Sequence, residues 1–381
     1  MCRGYAPADL RPQSEALPQV KRKAESKAVS EKKKENTNMK VAFFDAKTYD
    51  KESFEASDAR GDIDIKYYET RLSPDTASLA SGCGAVCVFV NDDVGAATVD
   101  ALHSLGVKLI ALRCSGYNNV DVKRAYGKIH VVRVPAYSPY AVAEHAMAML
   151  LASVRRIHKA YNRTRDYNFS LQGLTGFELH SRTVGVVGTG KNGRVFIDIC
   201  RGFGMKVIAY DKYPAEGSGI DYVSLDELFS QSDIISLHCP LTEETYHMID
   251  SDAVSKMKKG AVIVNTSRGA LIDSKALLEG IKDRHIGAAC MDVYEEESDI
   301  FFEDRSGHII DDDTLARLIS MPNVLVTSHQ AFLTGEALAS IAEVTLKNIN
   351  EFFETGKCQN ELCYHCGKVD DCRNHRLEKC F

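Results

Sequence analysis

The sequence predicts an α/β protein of two domains, each built on a parallel sheet. Its 381 residues are too many for one typical domain and comfortable for two. From Val41 onward, short β-branched runs alternate with helical spacers, and this alternation is typical of a parallel sheet covered by helices on both faces. A long helical stretch divides the runs into two sets, which indicates two sheets.

Each set of runs predicts a series of buried strands. The first set contains VAFF (41–44), DIKYYE (64–69), AVCVFV (85–90), LIALRC (109–114) and HVVRVP (130–135). The second contains TVGVVG (183–188), KVIAYD (206–211), DIISLHC (233–239), AVIVNTS (261–267), AACMDV (288–293) and NVLVTSH (323–329). Between them, SPYAVAEHAMAMLLASVRRIHKAY opens with a capping serine and a proline and keeps an apolar face, which predicts one long helix.

A last amphipathic helix is predicted where apolar residues recur at helical spacing from Leu338 to Phe352. Because no further sheet accompanies this helix, we expect it to pack back on the first domain. The first domain is therefore expected to be discontinuous, comprising residues 39–140 and 331–360. The second domain, residues 141–330, would be inserted into it.

The overall composition excludes several classes of protein. A net charge of −6 offers no electrostatic attraction for nucleic acid or an acidic membrane. No apolar run is long enough to cross a bilayer, so no membrane span is expected, and the segment 1–38 lacks the apolar core of a secretory signal. Most of the twelve cysteines are scattered singly, as expected of reduced thiols in a cytoplasm.

The segment 1–38 predicts a disordered basic extension. It includes KRKAESKAVSEKKKENTN, which is polar and almost free of large apolar residues. A solvated tail is the simpler interpretation, because acidic residues are mixed with the basic ones. A targeting or docking arm is the alternative.

A glycine-rich turn in the second domain predicts a dinucleotide site. Gly188, Gly190 and Gly193 follow a predicted strand, open a helix and precede a second strand that ends in Asp211. The glycines permit a tight turn, close approach to a pyrophosphate and close packing of the helix on the sheet. The helix N-terminus attracts that pyrophosphate. Because Asp211 can bind a ribose and would repel a 2′-phosphate, we expect NAD rather than NADP.

Three successive predicted strands carry a charged or titratable residue at or just beyond their carboxyl ends: Arg268, Glu297 and His329. Ligands of open α/β sheets bind beyond these ends. An arginine fork suits a carboxylate, and a histidine beside a carboxylate can exchange a proton near neutral pH. Beside a nicotinamide, we expect Arg268 to hold the carboxylate of a 2-oxo acid and His329, paired with Glu297, to act as acid and base.

With these residues in view, the chain resembles the D-isomer-specific 2-hydroxyacid dehydrogenases, and among them those that form D-lactate in bacterial fermentation. The resemblance covers residues from about Met39 to about Leu362. It is carried by VCVFVNDDV, ALRCSGYNNVD, VPAYSPYAVAEHA, RTRDYNFSLQGLTGFEL, DIISLHCPLT, NTSRGALID, MDVYEEE and SHQAFLT. It implies a flavodoxin-like substrate domain, a Rossmann NAD-binding domain and a homo-oligomer, and it places the catalytic roles on Arg268, Glu297 and His329.

The resemblance also implies a wider set of ligand contacts. Val90 and Asn91 are expected to bind the substrate carboxylate through backbone N–H groups, and Tyr137 and Phe332 to wall the pocket. The implied cofactor contacts, besides Gly188, Gly190, Gly193 and Asp211, are Thr189, Lys191, Asn192, His238, Cys239, Pro240, Thr266 and Asp292. Asn192 stands where relatives usually carry an aliphatic residue.

The C-terminal tail, residues 361–381, departs from the family and predicts a possible metal knuckle. Cys363, Cys366, Cys372 and Cys380 could supply four thiolates, with His365 and His375 nearby. A structural zinc is favoured over an iron–sulfur cluster. A flexible thiol-rich tail is the alternative.

We therefore expect an NAD-dependent enzyme that reduces pyruvate to D-lactate, because bulky aromatic walls suit a methyl side chain. One alternative is the same chemistry on glyoxylate, hydroxypyruvate or phenylpyruvate. Another is a non-catalytic NAD(H)-sensing protein, since relatives of this fold act as transcriptional corepressors.

Overall fold

The computed structural model describes residues 39–58, 61–297, 300–362 and 364. The predicted basic extension and the predicted metal ligands Cys363, Cys366, Cys372 and Cys380 lie outside these ranges. Within them, no group of three or more histidine, cysteine, aspartate or glutamate side chains is arranged to hold a metal ion. Among the helices of the same ranges, we find none with the length and apolar character needed to cross a bilayer.

The first sheet has five strands, all paired in parallel in the order β2-β1-β3-β4-β5. The strands are β1 (Met39–Phe43), β2 (Ile63–Tyr67), β3 (Ala85–Val88), β4 (Leu109–Leu112) and β5 (His130–Val132). The helices around them are α1 (Thr48–Ser57), α2 (Ala96–Ser104) and α3 (Val122–Ala125), with a 3₁₀ turn at Ala77–Ala80. This order is that of flavodoxin-like folds.

The second sheet has six strands, also parallel, in the order β11-β10-β9-β8-β6-β7. They are β6 (Thr183–Val187), β7 (Lys206–Tyr210), β8 (Ile234–Leu237), β9 (Ala261–Asn265), β10 (Ile286–Met291) and β11 (Val324–Val326). The helices that accompany it are α4 (Pro139–Val154), α5 (Ile157–Arg165), α6 (Lys191–Gly202), α7 (Leu225–Gln231), α8 (Ser251–Lys256), α9 (Ser274–Lys282) and α10 (Asp313–Ser320), with a 3₁₀ turn at Gly269–Leu271. The last helix is α11 (Gly335–Thr355). The predicted fold class of two parallel sheets is confirmed.

Both faces of each sheet are covered, which explains why inner strands such as β3, β4 and β6 are almost wholly apolar. In β1, Ala42 packs into one core cluster while Val41 and Phe43 pack into another on the opposite face. Side chains of a strand alternate between the two faces, so a strand covered on both sides needs an unbroken apolar run. The second sheet is covered in the same way.

Helix α11 packs on the first sheet, as the sequence predicts. Its residues Leu346 and Ile349 share a core cluster with Val41 and Phe43 of β1. The Thr334 side chain caps its N-terminus, and Gly356, with φ 71°, ends it in the left-handed conformation. The chain thus returns to the first sheet after it has completed the second.

The single long helix expected over residues 138–161 is wrong, because the structure has two helices there. Helix α4 ends at Val154, and Arg156 takes a left-handed φ of 55° before α5 begins. Helix α4 has nine buried residues, whereas α5 has none. The break therefore falls where the chain leaves the core, a change of environment that apolar spacing alone did not show.

Candidate active site

The nucleotide site predicted by the glycines lies at the switch point of the second sheet. Strands β7 and β8 lie on either side of β6, so the connections from β6 and β8 leave a crevice at their carboxyl ends. Such crevices bind ligands in open α/β sheets. The turn after β6 carries Gly188, and the turn after β8 carries His238.

Each glycine of the turn has a separate structural reason. A Cβ on Gly188, which has φ 94°, would lie 2.6 Å from the His238 carbonyl oxygen, and one on Gly193 would lie 2.0 Å from the Gly188 oxygen. A Cβ on Gly190 would meet nothing within 4 Å. Gly188 and Gly193 are therefore required by packing, whereas Gly190 keeps backbone accessible at the start of α6, where a pyrophosphate would bind.

Asp211 at the end of β7 is held as an oriented carboxylate. Its Oδ2 accepts hydrogen bonds from Thr189 N at 2.6 Å and Thr189 Oγ1 at 2.8 Å, and its Oδ1 accepts from Tyr213 N at 2.9 Å. Partial burial raises the pKa of this carboxyl, but these hydrogen bonds outweigh burial and hold the pKa below its usual value. An ionised Asp211 favours a ribose hydroxyl over a 2′-phosphate.

Buried polar atoms without a partner mark where a ligand fits. Within the described residues, His238 Nδ1, Thr266 Oγ1 and Asn91 Nδ2 are buried and make no hydrogen bond. Such groups are costly unless something satisfies them. Burial lowers the pKa of His238 to about 4, so its ring is neutral. His238 and Thr266 belong to the predicted cofactor set and line the cleft, which therefore fits a polar cofactor, whereas Asn91 belongs to the predicted substrate set.

Arg268 follows β9 and faces the cleft. The Asn265 side chain folds the turn by donating to the Arg268 carbonyl oxygen at 2.8 Å and accepting from Ser267 N at 3.0 Å. A Cβ on Gly269 would lie 1.9 Å from the Tyr294 carbonyl oxygen, so only glycine allows this turn to pack there. Across the described ranges, no carboxylate forms an ion pair with the Arg268 guanidinium, although its Nη1 donates to Ser267 O at 2.6 Å.

His329 and Glu297 form the predicted pair. His329 Nδ1 lies 2.9 Å from Glu297 Oε1, and both side chains are more than four-fifths buried. Because Nδ1 is engaged by the carboxylate, Nε2 is the nitrogen left for a ligand. His329 has a left-handed φ of 52°, a strained backbone for a residue other than glycine.

Asp292 at the end of β10 supports that strained segment. Its carboxylate accepts from Gln330 N at 2.9 Å and Ala331 N at 2.8 Å, and His145 Nε2 lies 3.3 Å from Oδ1. Burial raises the pKa of Asp292, but the hydrogen bonds from His145 and Thr327 reverse this effect and leave the pKa lowered. Asp292 is fully buried, and its contact with the nicotinamide stays a prediction.

The substrate loop after β3 offers two free backbone donors. Asp92 is buried and accepts from Phe89 N and Leu72 N, both at 2.6 Å, which fixes the turn. Among the described residues, the N–H groups of Val90 and Asn91 have no acceptor. Adjacent free N–H groups are suited to an anion, in agreement with the predicted carboxylate contact.

The predicted residues meet around one cleft of about 600 Å³ between the two sheets. The predicted residues that line it are Val90, Tyr137, Gly190, Lys191, Asn192, His238, Cys239, Pro240, Thr266, Arg268, His329 and Phe332. Glu297 lies behind His329. The residues Asn91, Gly188, Thr189, Gly193, Asp211 and Asp292 shape or support the walls and do not line the cleft itself. Burial raises the pKa of Tyr137, one wall, to about 12.

Comparison with known proteins assigns the family. Residues 147–331 match the model of the D-isomer specific 2-hydroxyacid dehydrogenase NAD-binding domain. The D-lactate dehydrogenase of Escherichia coli K12 is 51% identical over 328 residues, which are 85% of this chain and 100% of that protein. The chain belongs to the D-isomer-specific 2-hydroxyacid dehydrogenase family. It is an NAD-dependent enzyme of that family, and the predicted choice of NAD as cofactor is confirmed.

Two solved structures have the same fold. The pyruvate reductase of Chlamydomonas reinhardtii is 42% identical, with a TM-score of 0.80 over 85% of this chain and 98% of that one. The D-lactate dehydrogenase of Aquifex aeolicus, solved with NAD and lactic acid, is 32% identical, with a TM-score of 0.73 over 82% of this chain and 95% of that one. In both cases the match covers nearly all of the known structure.

Several residues that complete this dehydrogenase site were not predicted. Gly116 leaves room for the Arg268 side chain, and Gly269 lets the turn after Arg268 pack against the backbone of Tyr294. Asn265 folds that turn, and His145 supports Asp292. Gly116 and His145 lie within motifs that carry the family resemblance, but nothing local gave either a role, because each meets its partner from a distant segment. Gly269 had a signal, since it directly follows the predicted arginine in NTSRG.

Replacing Gly116 with alanine should displace Arg268. A Cβ there would lie 2.1 Å from Arg268 Nη2, the far end of a flexible side chain, so the fold should survive. We expect an unchanged unfolding temperature and NADH affinity, and a KM for the 2-oxo acid raised about tenfold through a weakened charged hydrogen bond. Steady-state kinetics test this, with Gly202→Ala, where a Cβ meets open space, as control. An unchanged KM in Gly116→Ala would show that Arg268 does not need this gap.

Proposed function

We propose that this enzyme is a D-lactate dehydrogenase that reduces pyruvate to D-lactate with NADH and catalyses the reverse reaction. The observation that carries the proposal is the presence of Arg268, without a carboxylate partner among the described residues, in the same cleft as the His329–Glu297 pair. A 2-oxo acid supplies both the missing carboxylate and a carbonyl that needs a proton. The E. coli relative, named a D-lactate dehydrogenase, supports this substrate class.

Arg268 would bind the substrate carboxylate through its planar fork, assisted by the free N–H groups of Val90 and Asn91. Two anchors on opposite walls of the cleft orient the carbonyl as well as hold the acid. The guanidinium also stabilises negative charge that develops on the carbonyl oxygen.

His329 would transfer the proton. Its Nε2 donates to the carbonyl oxygen during reduction, and the neutral ring accepts the proton from the hydroxyl in the reverse direction. Glu297, whose Oε1 lies 2.9 Å from Nδ1, fixes the orientation of the ring. Bound NADH supplies the hydride, and Gly190, Lys191, Asn192, His238 and Thr266 are the residues that would hold it near this carbonyl.

Aromatic side chains restrict the room for a substrate side chain. Phe332 is buried, and its ring centroid lies 5.6 Å from that of Phe89 and 6.5 Å from that of Tyr49. With Tyr137 on the other wall, this arrangement favours a substrate with a methyl group over one with a benzyl group.

We propose that residues 39–140 and 331–360 form the substrate domain and that residues 141–330 form the NAD-binding domain.

The function is tested by initial rates of NADH oxidation with pyruvate, glyoxylate, hydroxypyruvate and phenylpyruvate. We expect the highest kcat/KM with pyruvate and a product of D configuration. His329→Gln should lower kcat on pyruvate at least ~10²-fold, because the proton donor is lost, and should leave NADH affinity nearly unchanged.

Other outcomes separate the alternatives. A higher kcat/KM with one of the other acids would keep the chemistry and reject pyruvate as the substrate. NADH binding without turnover on any acid would favour a non-catalytic NAD(H)-sensing protein. Near-normal turnover by His329→Gln would remove this residue from the mechanism.

We propose that the protein forms a homo-oligomer through α5 and the segment that follows it. No residue of α5 is buried, and Tyr167, Phe169 and Leu171 beyond it are 85%, 71% and 80% exposed. A mainly apolar groove on α4 and α6 offers a matching surface on a second copy. It is lined by Tyr140, Met147, Ala148, Leu151, Val195 and Ile199, together with the carboxylates Glu144 and Asp198. Exposed apolar patches of this kind are typical of interfaces.

Replacing Tyr167, Phe169 and Leu171 with serine should shift the sedimentation coefficient towards that of a monomer. Ile309→Ser, at a residue that is 89% exposed elsewhere on the surface, is the matched control. A monomeric wild-type protein, or an unchanged oligomer in the triple variant, would contradict this assignment of the interface.

We also propose that the enzyme works in the cytoplasm. The seven cysteines of the described ranges are all free thiols, and six of them are buried. A reducing compartment preserves such thiols. Cell fractionation with the enzyme assay would test this.

A further inference from the structure

A loop of the second domain crosses the cleft beside the catalytic histidine. After β10 the chain passes Glu297, and its residues 301–303 reach the first domain. There, Arg71 Nη2 lies within 3.5 Å of the Phe301 carbonyl oxygen and 3.2 Å from Glu303 Oε1. Arg71 follows β2 of the first sheet, so these contacts join the two sides of the cleft.

Phe302 lies in the chain between Phe301 and Glu303, the two residues that Arg71 contacts, and its ring packs against His329. Its ring centroid lies 5.8 Å from the His329 ring and 5.5 Å from the Phe89 ring, at 38° and 77° respectively. Phe302 therefore joins the catalytic histidine of one domain to the substrate wall of the other. Its φ of 66° is unusual for a bulky residue and persists only when neighbouring contacts enforce it.

A second cation of the first domain reaches the same carboxylate. Lys47 Nζ lies 3.6 Å from Glu303 Oε1 and 2.9 Å from Oδ1 of the buried Asp45. The Glu303 carboxylate thus lies close to the charged groups of both Arg71 and Lys47. The side chains of Arg71 and Lys47 are each 26% exposed and that of Glu303 is 40% exposed, so solvent ions can screen the attraction.

We propose that Arg71 is a positioning residue for the reaction: by holding Phe301 and Glu303, it fixes Phe302 against His329 and so sets the acid/base pair in its working position. We call Arg71, Phe301 and Glu303 the interdomain clamp. Arg71 touches neither substrate nor cofactor in this role. The inference rests on the proposed function, because it assigns a task to His329.

The test compares Arg71→Gln with Arg124→Gln. Arg124 forms an ion pair with Asp100 within the first domain and does not span the cleft, so its variant matches the charge change without touching the clamp. For Arg71→Gln we expect kcat on pyruvate to fall about three- to tenfold, as for the loss of a partly exposed charged contact. NADH affinity and unfolding temperature should stay at wild-type values. Arg124→Gln should keep the wild-type kcat.

Three further readouts separate positioning from general destabilisation. Added salt should lower kcat of the wild type and of Arg124→Gln more than that of Arg71→Gln, because the Arg71–Glu303 pair that salt screens is already absent there. The double variant Arg71→Gln/Glu303→Gln should lose less kcat than the product of the two single losses, since both single variants remove the Arg71–Glu303 ion pair. Arg71→Lys should restore part of kcat by keeping the pair with Glu303.

Hydrogen–deuterium exchange tests the clamp independently of turnover. The peptide that contains residues 300–303 should exchange faster in Arg71→Gln than in the wild type or Arg124→Gln. Equal exchange in all three, or equal kcat in the two single variants, would overturn the proposal. A wild type that reduces no 2-oxo acid would refute the proposed function instead, and the exchange measurement would still decide whether the clamp exists.

Discussion

The site depends on Arg268, a cation that has no anionic partner among the residues that the structure describes. Arg268 stands at the end of the buried strand β9, where withdrawal from water makes an uncompensated charge costly. Around it, Asn265 folds the turn, Gly269 admits the neighbouring backbone, and Gly116 leaves the gap for the guanidinium. The protein thus holds a charge ready for a carboxylate, and this requirement explains why the apolar run 261–264 ends so soon in Ser-Arg-Gly.

Parallel topology brings the other reactive groups to the same place. Strands β9, β10 and β11 are neighbours in the sheet, so the segments after their carboxyl ends converge on one edge. Arg268, Glu297 and His329 come from these three segments, and the buried Asp292 ties the second to the third through Gln330 N and Ala331 N. Substrate binding and proton transfer are therefore supported by one rigid edge, while the first domain supplies the opposite wall.

Local sequence patterns predicted the strands of both sheets, the glycine turn and the three reactive side chains, because strand periodicity and strand-end chemistry are local properties. Contacts between distant segments were not predictable in this way. Apolar spacing continued through Arg156, although burial ends there, and so concealed the helix break. Likewise, nothing local to Gly116 or Phe302 shows that one leaves room for Arg268 and the other packs on His329. The basic extension and the cysteine-rich tail lie outside the described residues and stay predictions.

In the proposed function, the substrate carboxylate is the missing partner of Arg268. Titration of oxamate, an unreactive analogue of pyruvate, into the NADH complexes of the wild type and Arg268→Gln tests this pairing. We expect measurable binding to the wild type and a Kd weakened about 10²-fold or more in the variant, because a charged bidentate contact is lost. Oxamate binding of equal affinity in both proteins would contradict it.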